Sequence, residues 1–509
     1  MEIELKLAAR AADLPDLERM LVGMAAASAK STKRLIGTYY DTQDRALQRR
    51  RMILRIREEA GRLIQTVKSG DPTGSDFLAR GEWEDVVSDK YPDPFAPESG
   101  RHLPEGIAGD LRPLFVTDVT RLAVEIEPSP ATRIEAAIDD GEIRTLGATR
   151  VEPICEVELE LKSGNVGALY DLALQLLKVA PLRPETRSKA ERGYRLMEDA
   201  AAPAPVHAGP VSLDAAMTSA AALQSICRSC LGHLLGNEEA ALAGQPEGIH
   251  QMRVAVRRIR SALSCFKSML PDEEGPWMSD GLSGLAGALG PARNFDVLAT
   301  ELLPPARSAL PEEPGWDELG AAIERARHEA HGRVREEILS TRHTSTMLRL
   351  LRRFTQTEGP DHAATEPAAL PSHPIGEIAP RLLEHRFLRL RQRSKGFSQM
   401  GPRQRHKVRI AVKRLRYGIE LLGGLSDQDE LQRFVKRLKR LQDDLGYAND
   451  VRVAHDLVSK LCEEAGPESS GARAGTRLLE WHERVLAERE GKLREHLRRL
   501  KAATPFWRH

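Results

Sequence analysis

Cysteines, aromatic residues and long apolar runs are all scarce in this chain of 509 residues. Five cysteines, an odd number, argue against a disulfide framework and are typical of a reducing cytoplasm. No apolar run reaches the roughly 18 residues that a membrane-spanning helix needs. The first residues are charged and alternate like a strand, unlike the basic start and apolar centre of a signal peptide. These absences predict a cytoplasmic protein with no membrane contact.

Several catalytic signatures are also missing. There is no G-x-x-x-x-G-K-[ST] loop, which argues against a P-loop nucleotidase. Neither H-E-x-x-H nor a paired Cys/His spacing indicates zinc, and no nucleophile elbow is evident. The formal net charge is only +1. The placement of charges along the chain must therefore identify the ligand.

The periodicity of the chain changes near residue 200, which predicts a multidomain α+β protein. Before that point, short runs alternate between polar and apolar residues, as strands do, and one helix is expected at about 166–179. An Ala/Pro-rich segment, 201–211, is interpreted as a linker. Beyond it the pattern is helical, so we expect a sheet domain at 1–200 and an all-α domain at 212–500. The predicted strands are 2–7, 53–57, 63–68, 81–87, 133–139 and 155–162.

The helical half contains an internal repeat. The segment 250–260 recurs at 406–416 with six of eleven positions identical, and 285–297 has a parallel at 441–451. An offset of this length is too long for a solenoid unit. The repeat therefore predicts a duplicated helical bundle, with copies at about 212–355 and 375–500 and a loop between them at 359–374.

Each repeated helix carries a stripe of cations opposite an apolar stripe, because at about 100° per residue these positions share a face. A solvated face is the alternative, but such faces normally mix signs, since like charges one turn apart repel. Aromatic residues make up only 4% of the chain, which argues against base stacking and favours a phosphate ligand without bases. The candidate residues are His250, Arg253, Arg257 and Arg260 in the first copy, and His406, Arg409, Lys413 and Arg416 in the second.

The repeated pattern H-x-x-R-x-x-x-[RK]-x-x-R, followed by L-G-x-x-[RN]-[ND], resembles the CHAD domain family over roughly residues 212 to 500. The resemblance implies a helical domain with two-fold pseudosymmetry that binds inorganic polyphosphate through the eight stripe residues. Further candidates, from helical charge alone, are Lys436, Arg437, Lys439 and Arg440.

Charges of both signs also share faces of the predicted strands in the N-terminal half. Glu2, Glu4 and Lys6 point one way, as do Arg55 and Arg57 on a second strand. Like charges on one sheet face are costly unless something binds between them. Carboxylates hold Mg²⁺ or Mn²⁺, and cations hold phosphate oxygens. A solvated polar face is the alternative, but the sets together predict a site for a metal–polyphosphate complex.

Glu2-x-Glu4-x-Lys6 resembles the start of the CYTH family, the triphosphate tunnel metalloenzymes, and the resemblance runs to about residue 200. It implies a closed antiparallel tunnel of about eight strands. A CYTH domain followed by a CHAD domain resembles bacterial inorganic triphosphatases. Other matching segments are 40–42, 54–57, 66–68, 82–84, 139–141, 156–161 and 188–193.

This second resemblance implies a hydrolase, dependent on Mg²⁺ or Mn²⁺, that converts tripolyphosphate to diphosphate and phosphate. The implied catalytic residues are Glu4, Lys6 and Lys68. The implied triphosphate-binding residues are Lys6, Arg55, Arg57, Lys68, Arg121, Arg133 and Lys189. The implied metal ligands are Glu2, Glu4, Glu158 and Glu160, with Glu156 on the same strand face. A second metal, a glutamate or Lys6 is each a candidate for activating water.

The expected partners are inorganic tripolyphosphate and long-chain polyphosphate, without nucleic acid, and polyphosphate granules are a further expected location. One alternative is a CYTH enzyme for an organic triphosphate such as ATP or thiamine triphosphate, although no aromatic cluster clearly supplies a base pocket. Another is a catalytically weak polyphosphate-binding scaffold. The acids and cations kept at Glu2, Glu4, Lys6, Glu158 and Glu160 argue against that scaffold.

Overall fold

The structure is a computed structural model that describes residues 2–24, 30–69, 79–198, 203–267, 270–271, 274–355, 373–426 and 428–508. The chain divides into two compact units. The first unit comprises Met1–Pro203 and Leu339–Gly359, and the second comprises Ala204–Ile338 and Pro360–His509. Among the helices so described, none has both the length and the apolar character needed to cross a membrane.

The first unit contains an antiparallel sheet, which confirms the predicted class of its fold. Nine strands are present in the described residues, against the predicted eight or so, and the ninth is only two residues long. They are β1 (Glu2–Ala8), β2 (Lys30–Asp41), β3 (Met52–Glu59), β4 (Arg62–Ser69), β5 (Ala79–Val87), β6 (Arg112–Ser129), β7 (Thr132–Thr145), β8 (Val151–Ser163) and β9 (Arg183–Pro184). Their order is β5-β4-β3-β2-β6-β7-β8-β1-β9.

The predicted closure of this sheet is not found along the length of the strands. In the part of the chain that the structure describes, the two sides of the sheet meet only where β1 pairs with β5, with Glu2 opposite Arg80 and Ile3 opposite Ala79. The neighbouring pairing of β1 with β8 runs over five residue pairs by comparison. The strand order is therefore open, with a two-pair contact between β1 and β5.

The helices of the first unit include one that brings Lys189 and Arg192 to the charged side chains of the sheet. They are α1 (Leu14–Met24), α2 (Ala46–Arg49), α3 (Gly167–Leu176) and α4 (Lys189–Glu198). In α4, the ring of Tyr194 packs edge-on against Phe115 of β6, with centroids 5.5 Å apart. A Cβ at Gly193 would overlap the ring of Phe115, so only glycine allows α4 to approach β6 this closely. This packing holds Lys189, the first residue of α4, over the charged face of the sheet.

A further helix of the first unit, α11 (Thr341–Thr355), comes from much later in the chain. It packs on α3, where Arg352 Nε lies 2.7 Å from Asp171 Oδ1 and the hydroxyls of Tyr170 and Thr355 are 3.3 Å apart. The apolar residues of α11, including Leu350, are buried. The segment 341–355, assigned from sequence to the first helical copy, thus belongs to the compact unit of the sheet.

The second unit is helical in its described residues, as predicted. Its helices are α5 (Ser219–Leu235), α6 (Glu238–Leu242), α7 (Pro246–Cys265), α8 (Glu274–Val297), α9 (Leu303–Ala309), α10 (Trp316–Ile338), α12 (Ile375–Arg393), α13 (Pro402–Leu422), α14 (Gln428–Ala465) and α15 (Ser470–Ala502). The repeated stripes lie on α7 and α13, which both begin with proline at a position where its missing N–H costs no helical bond. Helices α5 and α12 start with the same offset, 156 residues.

The two predicted irregular segments are only partly described. Residues 203–211 of the linker have neither helix nor strand, and residues 201–202 lie outside the described part. Most of the predicted loop at 359–374 also lies outside it.

Candidate active site and polyanion-binding surface

The charged face of the sheet borders a cavity of about 400 Å³ in the first unit. Among its lining residues, cations and acids are equal in number, eight of each. The cations are Lys6, Lys33, Arg55, Arg57, Lys68, Arg121, Lys162 and Lys189. The acids are Glu4, Glu59, Glu82, Glu84, Glu135, Asp139, Glu158 and Glu160. Such a mixture suits a ligand that is itself part cation and part anion, as a metal–phosphate complex is.

Strand register explains why these groups meet. Lys6 of β1 lies directly opposite Glu158 of β8, and Arg121 of β6 lies opposite Asp139 of β7. Asp139 in turn lies opposite Glu156 of β8. Side chains directly opposite each other in adjacent strands share a face of the sheet. Residues that are far apart in the sequence are therefore concentrated on one surface.

Three buried carboxylates form the centre of the site. Oxygen atoms of Asp139, Glu156 and Glu158 all lie within 4.8 Å of one another. Lys189 Nζ is 2.7 Å from Asp139 Oδ2 and 2.8 Å from Glu158 Oε1, and it also contacts Glu156. Arg121 donates two hydrogen bonds to Asp139, of 2.7 and 2.6 Å, and contacts Glu158. The negative charges are thus balanced by cations within the protein.

These contacts decide the ionisation of the cluster. Burial by itself would raise the pKa of Glu158, but Lys189, Lys6 and Arg121 outweigh it and hold that pKa well below its usual range. The pKa of Asp139 is likewise lowered, because Lys189 and Arg121 oppose the effect of burial. Burial would lower the pKa of Lys189, but the carboxylates around it raise that pKa well above its usual value. Asp139 and Glu158 are therefore ionised and Lys189 is charged at neutral pH.

This donor set fits a hard divalent cation. Mg²⁺ and Mn²⁺ prefer oxygen ligands, and the three buried carboxylates offer them at one place. Of the other predicted metal ligands, Glu4 and Glu160 line the cavity, whereas the side chain of Glu2 lies outside the described residues. Asp139 is a candidate ligand that the sequence interpretation missed. Its segment was recognised as a family match, but only strand register brings it beside Glu156.

Two predicted phosphate-binding arginines lie elsewhere along the cavity in looser contacts. Arg57 Nη2 is 3.5 Å from Glu59 and 3.7 Å from Glu84, and Arg55 Nη2 is 3.9 Å from Glu84. The Nε atoms of both arginines are buried without a hydrogen-bond partner among the described residues. Burial, followed by the charge of Arg55, lowers the pKa of Arg57. Adjacent buried guanidinium groups with unused donors are suited to bind phosphate oxygens.

The remaining predicted triphosphate-binding residues separate into two groups. Lys6, Lys68, Arg121 and Lys189 line the cavity, and Lys68 Nζ lies 2.9 Å from Glu82. Arg133 does not: its side chain is 55% exposed and lies 3.1 Å from Glu125. The register of β7 against β8 shifts between residues 133 and 134. β7 itself keeps its alternation there, with Thr132 and Ile134 buried on either side of Arg133, so Arg133 shares a face with Glu135 but lies beyond the residues that line the cavity.

In the second unit, α7 and α13 bring the two cationic stripes together. Neighbouring cations from both helices lie within electrostatic range, so that Arg257 and Arg409 both act on Lys413. Burial and these like charges lower the pKa of Lys413 to about 7, and that of Arg253 to about 10. Burial and Arg293 lower the pKa of His250 to about 4. The stripes therefore form one strained cationic cluster.

The predicted stripe residues differ in how many of their hydrogen-bond donors have partners. Arg260 donates to Ser283 Oγ at 3.0 Å, and Arg416 is paired with Glu420 at 2.6 Å. The buried Nε atoms of Arg257, Arg260 and Arg409 have no hydrogen-bond partner among the described residues. His406 is exposed, and burial and Arg409 lower its pKa. Donors without acceptors at the centre of the cluster are what an anionic ligand would satisfy.

One acid, Asp450, lies near these cations. Burial raises its pKa, although Asn449, Arg409 and Lys413 act in the opposite direction. Its position was visible in the sequence as part of the second repeated element, as was Arg293 in the first copy, but neither was named as a binding residue. Packing of the repeated elements beside α7 and α13 was needed to show their proximity to the stripes.

Comparison with known proteins agrees with both resemblances. Residues 1–194 match the CYTH domain family. Residues 225–459 match the CHAD domain family. The chain therefore contains a CYTH domain followed by a CHAD domain.

Individual relatives each match only part of the chain. The chain is 36% identical over 162 residues to an inorganic triphosphatase of Haemophilus influenzae, a match to 31% of this chain and 45% of that protein. It is 28% identical over 188 residues to an uncharacterized protein of Mycobacterium tuberculosis, 35% of either chain. The matches thus span less than half the length of these relatives. The crystal structure of the CHAD domain from the plant Ricinus communis is 28% identical, covers 59% of this chain and 98% of its own, and superimposes with a TM-score of 0.50.

Proposed function

We propose that the CYTH domain is a metal-dependent inorganic triphosphatase that converts tripolyphosphate to diphosphate and phosphate. The observation that carries this proposal is the cavity itself, where two carboxylates of the buried cluster, Asp139 and Glu158, and two incompletely bonded arginines line one charged surface. The match of residues 1–194 to the CYTH family and the 36% identity of part of the chain to an inorganic triphosphatase support the same reaction.

The residues of the cavity suggest a division of roles. Asp139, Glu156 and Glu158 would hold a divalent metal, which would act as a Lewis acid on phosphate oxygens and neutralise their charge. Arg55 and Arg57 would bind phosphate oxygens through donors that have no other acceptor. These positioned charges would stabilise the leaving diphosphate, since catalysis of phosphoryl transfer is largely electrostatic.

Lys6 and Glu4 are assigned opposite roles. Burial would lower the pKa of Lys6, but Glu158 and Glu4 raise it well above its usual value. A lysine that keeps its proton donates to phosphate and does not accept a proton from water. Glu4, whose Oε2 lies 3.3 Å from Lys6 Nζ, is then the residue we assign to orient the attacking water.

The lining of the cavity favours an inorganic substrate. Tyr39 is the only aromatic side chain among the lining residues described, so no pair of rings is present there to stack on a base or a thiazolium ring. The test is phosphate release from tripolyphosphate, ATP and thiamine triphosphate with Mg²⁺ or Mn²⁺. We expect tripolyphosphate to be hydrolysed fastest, and faster hydrolysis of ATP would refute the proposal.

For the CHAD domain, we propose binding of long-chain polyphosphate by the cluster on α7 and α13. The unsatisfied donors of Arg257 and Arg409 support this role, as does the family match. The double variant Arg253→Glu/Arg409→Glu should lose polyphosphate binding and keep tripolyphosphate hydrolysis, whereas Glu4→Ala should do the reverse. Unchanged binding by the double variant at low salt would contradict the proposal.

A further inference from the structure

The two copies of the CHAD repeat differ sharply in charge next to the shared stripes. Residues 385–418 of the second copy contain twelve Lys and Arg residues and no Asp or Glu. The equivalent stretch of the first copy, 229–262, contains four Lys and Arg and three Glu. Both stretches join a pair of equivalent helices, α5 and α7 in the first copy and α12 and α13 in the second, so these helices do not by themselves require the additional cations. They are a property of the second copy alone.

The corresponding faces of the two copies are also covered differently. In the first copy, His233 Nε2 and Asn237 Nδ2 lie 3.0 and 2.9 Å from the carbonyl oxygen of Val206, and Arg258 Nη2 donates to that of Gly209 at 3.4 Å. An extended segment thus covers that face, and His233, Asn237 and Arg258 are buried.

At the equivalent positions of the second copy stand Arg389, Arg393 and Arg414, and all three are exposed. A buried face in one copy has therefore become an exposed cationic face in the other.

The helices that carry these arginines are firmly packed. Arg386 of α12 is buried and donates to Cys265 Sγ at 2.6 and 3.2 Å. A Cβ at Gly418 of α13 would lie 3.1 Å from Arg386 Cδ, so glycine admits that side chain between the helices. Arg389 and Arg393 follow Arg386 on the same side of α12, and Arg414 lies one turn before Gly418. The exposed arginines are thus held near one another by a rigid base.

Like charges in such an arrangement repel. After burial, the charges of Arg393, Arg386 and Arg389 lower the pKa of Arg414. No salt bridge to an acid is found for Arg389, Arg393 or Arg414 among the described residues. A solvated face normally mixes signs, because like charges one turn apart destabilise a helix. A bound polyanion would offset this repulsion.

The chemistry of that polyanion follows from the neighbouring side chains. The aromatic residues of the stretch, Phe387, Phe397 and Tyr417, are all buried and therefore cannot stack on exposed bases. Arg414 directly follows Lys413 of the central cluster, and one residue corresponds to a rotation of about 100° around the helix. A polyphosphate chain bound to the cationic cluster on α7 and α13, here called the central cluster, can therefore continue around α13 to Arg414.

We propose that the exposed face formed by Arg389, Arg393 and Arg414 is a second anion-binding surface, which holds the continuation of a long polyphosphate chain and gives the CHAD domain its preference for long chains. This inference rests on the proposed binding of polyphosphate by the central cluster. It assigns the second copy a role that the first copy lacks.

The test compares the full-length protein with the triple variant Arg389→Gln/Arg393→Gln/Arg414→Gln. Binding of a size-fractionated polyphosphate series is measured with a chelator present, so that no chain is hydrolysed. We expect affinity for the longest chains to fall about tenfold, and the salt dependence to weaken, because three phosphate contacts are lost. Affinity for chains short enough to fit the central cluster, and tripolyphosphate hydrolysis with metal, should not change.

The matched control removes three exposed arginines of α10 and α15, in the variant Arg325→Gln/Arg333→Gln/Arg484→Gln. An equal loss in this control would show a general effect of net charge and overturn the inference. Unchanged long-chain binding by the Arg389→Gln/Arg393→Gln/Arg414→Gln variant would also overturn it. The same holds if this variant lost binding to duplex DNA but kept its affinity for long polyphosphate. If the wild-type protein bound no polyphosphate at all, the proposed function would itself be refuted, which is a separate result.

Discussion

In the CYTH domain the amino group of Lys189 lies among three carboxylates, whereas in the CHAD domain that of Lys413 lies among arginines. Burial acts on both lysines in the same direction, yet the pKa of Lys189 is raised and that of Lys413 is lowered to about 7. The neighbouring charges therefore decide the outcome. In the first site, acids and cations of the protein balance each other, which suits a ligand that combines a metal cation with phosphate. The second site has a surplus of positive charge that a polyanion would relieve.

The largest effect is expected from removing a carboxylate of the first site. Glu158→Gln takes away the charge that contacts Lys6, Arg121 and Lys189 at once. Tripolyphosphate hydrolysis should fall by a factor on the order of 10² to 10³, as on removal of a preorganised charge in other enzymes. Phosphate release measures it. Glu127→Gln, an exposed glutamate on β6, is the control, and polyphosphate binding should be normal in both variants.

The next effect tests which unit α11 belongs to. Leu350 is fully buried in α11, so Leu350→Ala should cost about 2–5 kcal/mol of stability. Hydrogen exchange should show the loss of protection in α3 and the sheet. Leu339→Ala, at a half-exposed leucine just before α11, should have little effect. Lost protection confined to α14 and α15 would place α11 with the helical unit instead.

A smaller effect concerns pH. Lys413 is charged below its pKa of about 7 and neutral above it. Polyphosphate affinity should therefore fall as the pH rises from 6 to 8, by about three- to tenfold for the loss of one charged contact. Titration at a series of pH values measures this. Lys413→Arg keeps its charge throughout this range and should remove most of the pH dependence, and an unaltered profile would contradict the role given to Lys413.

The smallest effect is expected at Arg133, although its family pattern implied triphosphate binding. Its exposed side chain is paired with Glu125 away from the cavity. Arg133→Gln should change the KM for tripolyphosphate by less than about twofold, within the usual range of exposed ion pairs. Arg57→Gln, in the cavity, should raise that KM much further. An equally large effect at Arg133 would show that substrate binding rearranges β7.

These outcomes indicate where sequence reasoning succeeded and where it could not. Alternation along strands is a local property, so it identified Lys6, Arg55 and Arg57 as residues of one face before any pairing was known. The point along β7 where the cavity ends, short of Arg133, and the meeting of Asp139 with Glu156 depend on how the strands pair, which is not a local property.

The helical half shows the same limit. Periodicity identified the cationic stripes of α7 and α13 but could not show that they form a single cluster. Nor could it assign α11, whose amphipathic pattern is compatible with packing in either unit. The surplus of cations in the second copy was present in the sequence, but its meaning required the comparison with the covered face around Val206.

The position of α11 also bears on how this protein can be divided. A protease that cuts once within residues 204–211 would separate the sheet from α11, which would remain on the C-terminal fragment. The first unit would then consist of two fragments held together only by packing and by contacts such as that of Arg352 with Asp171. A nick in this segment is therefore not equivalent to a domain boundary. An expression fragment that ends near residue 203 would lack one helix of its own unit.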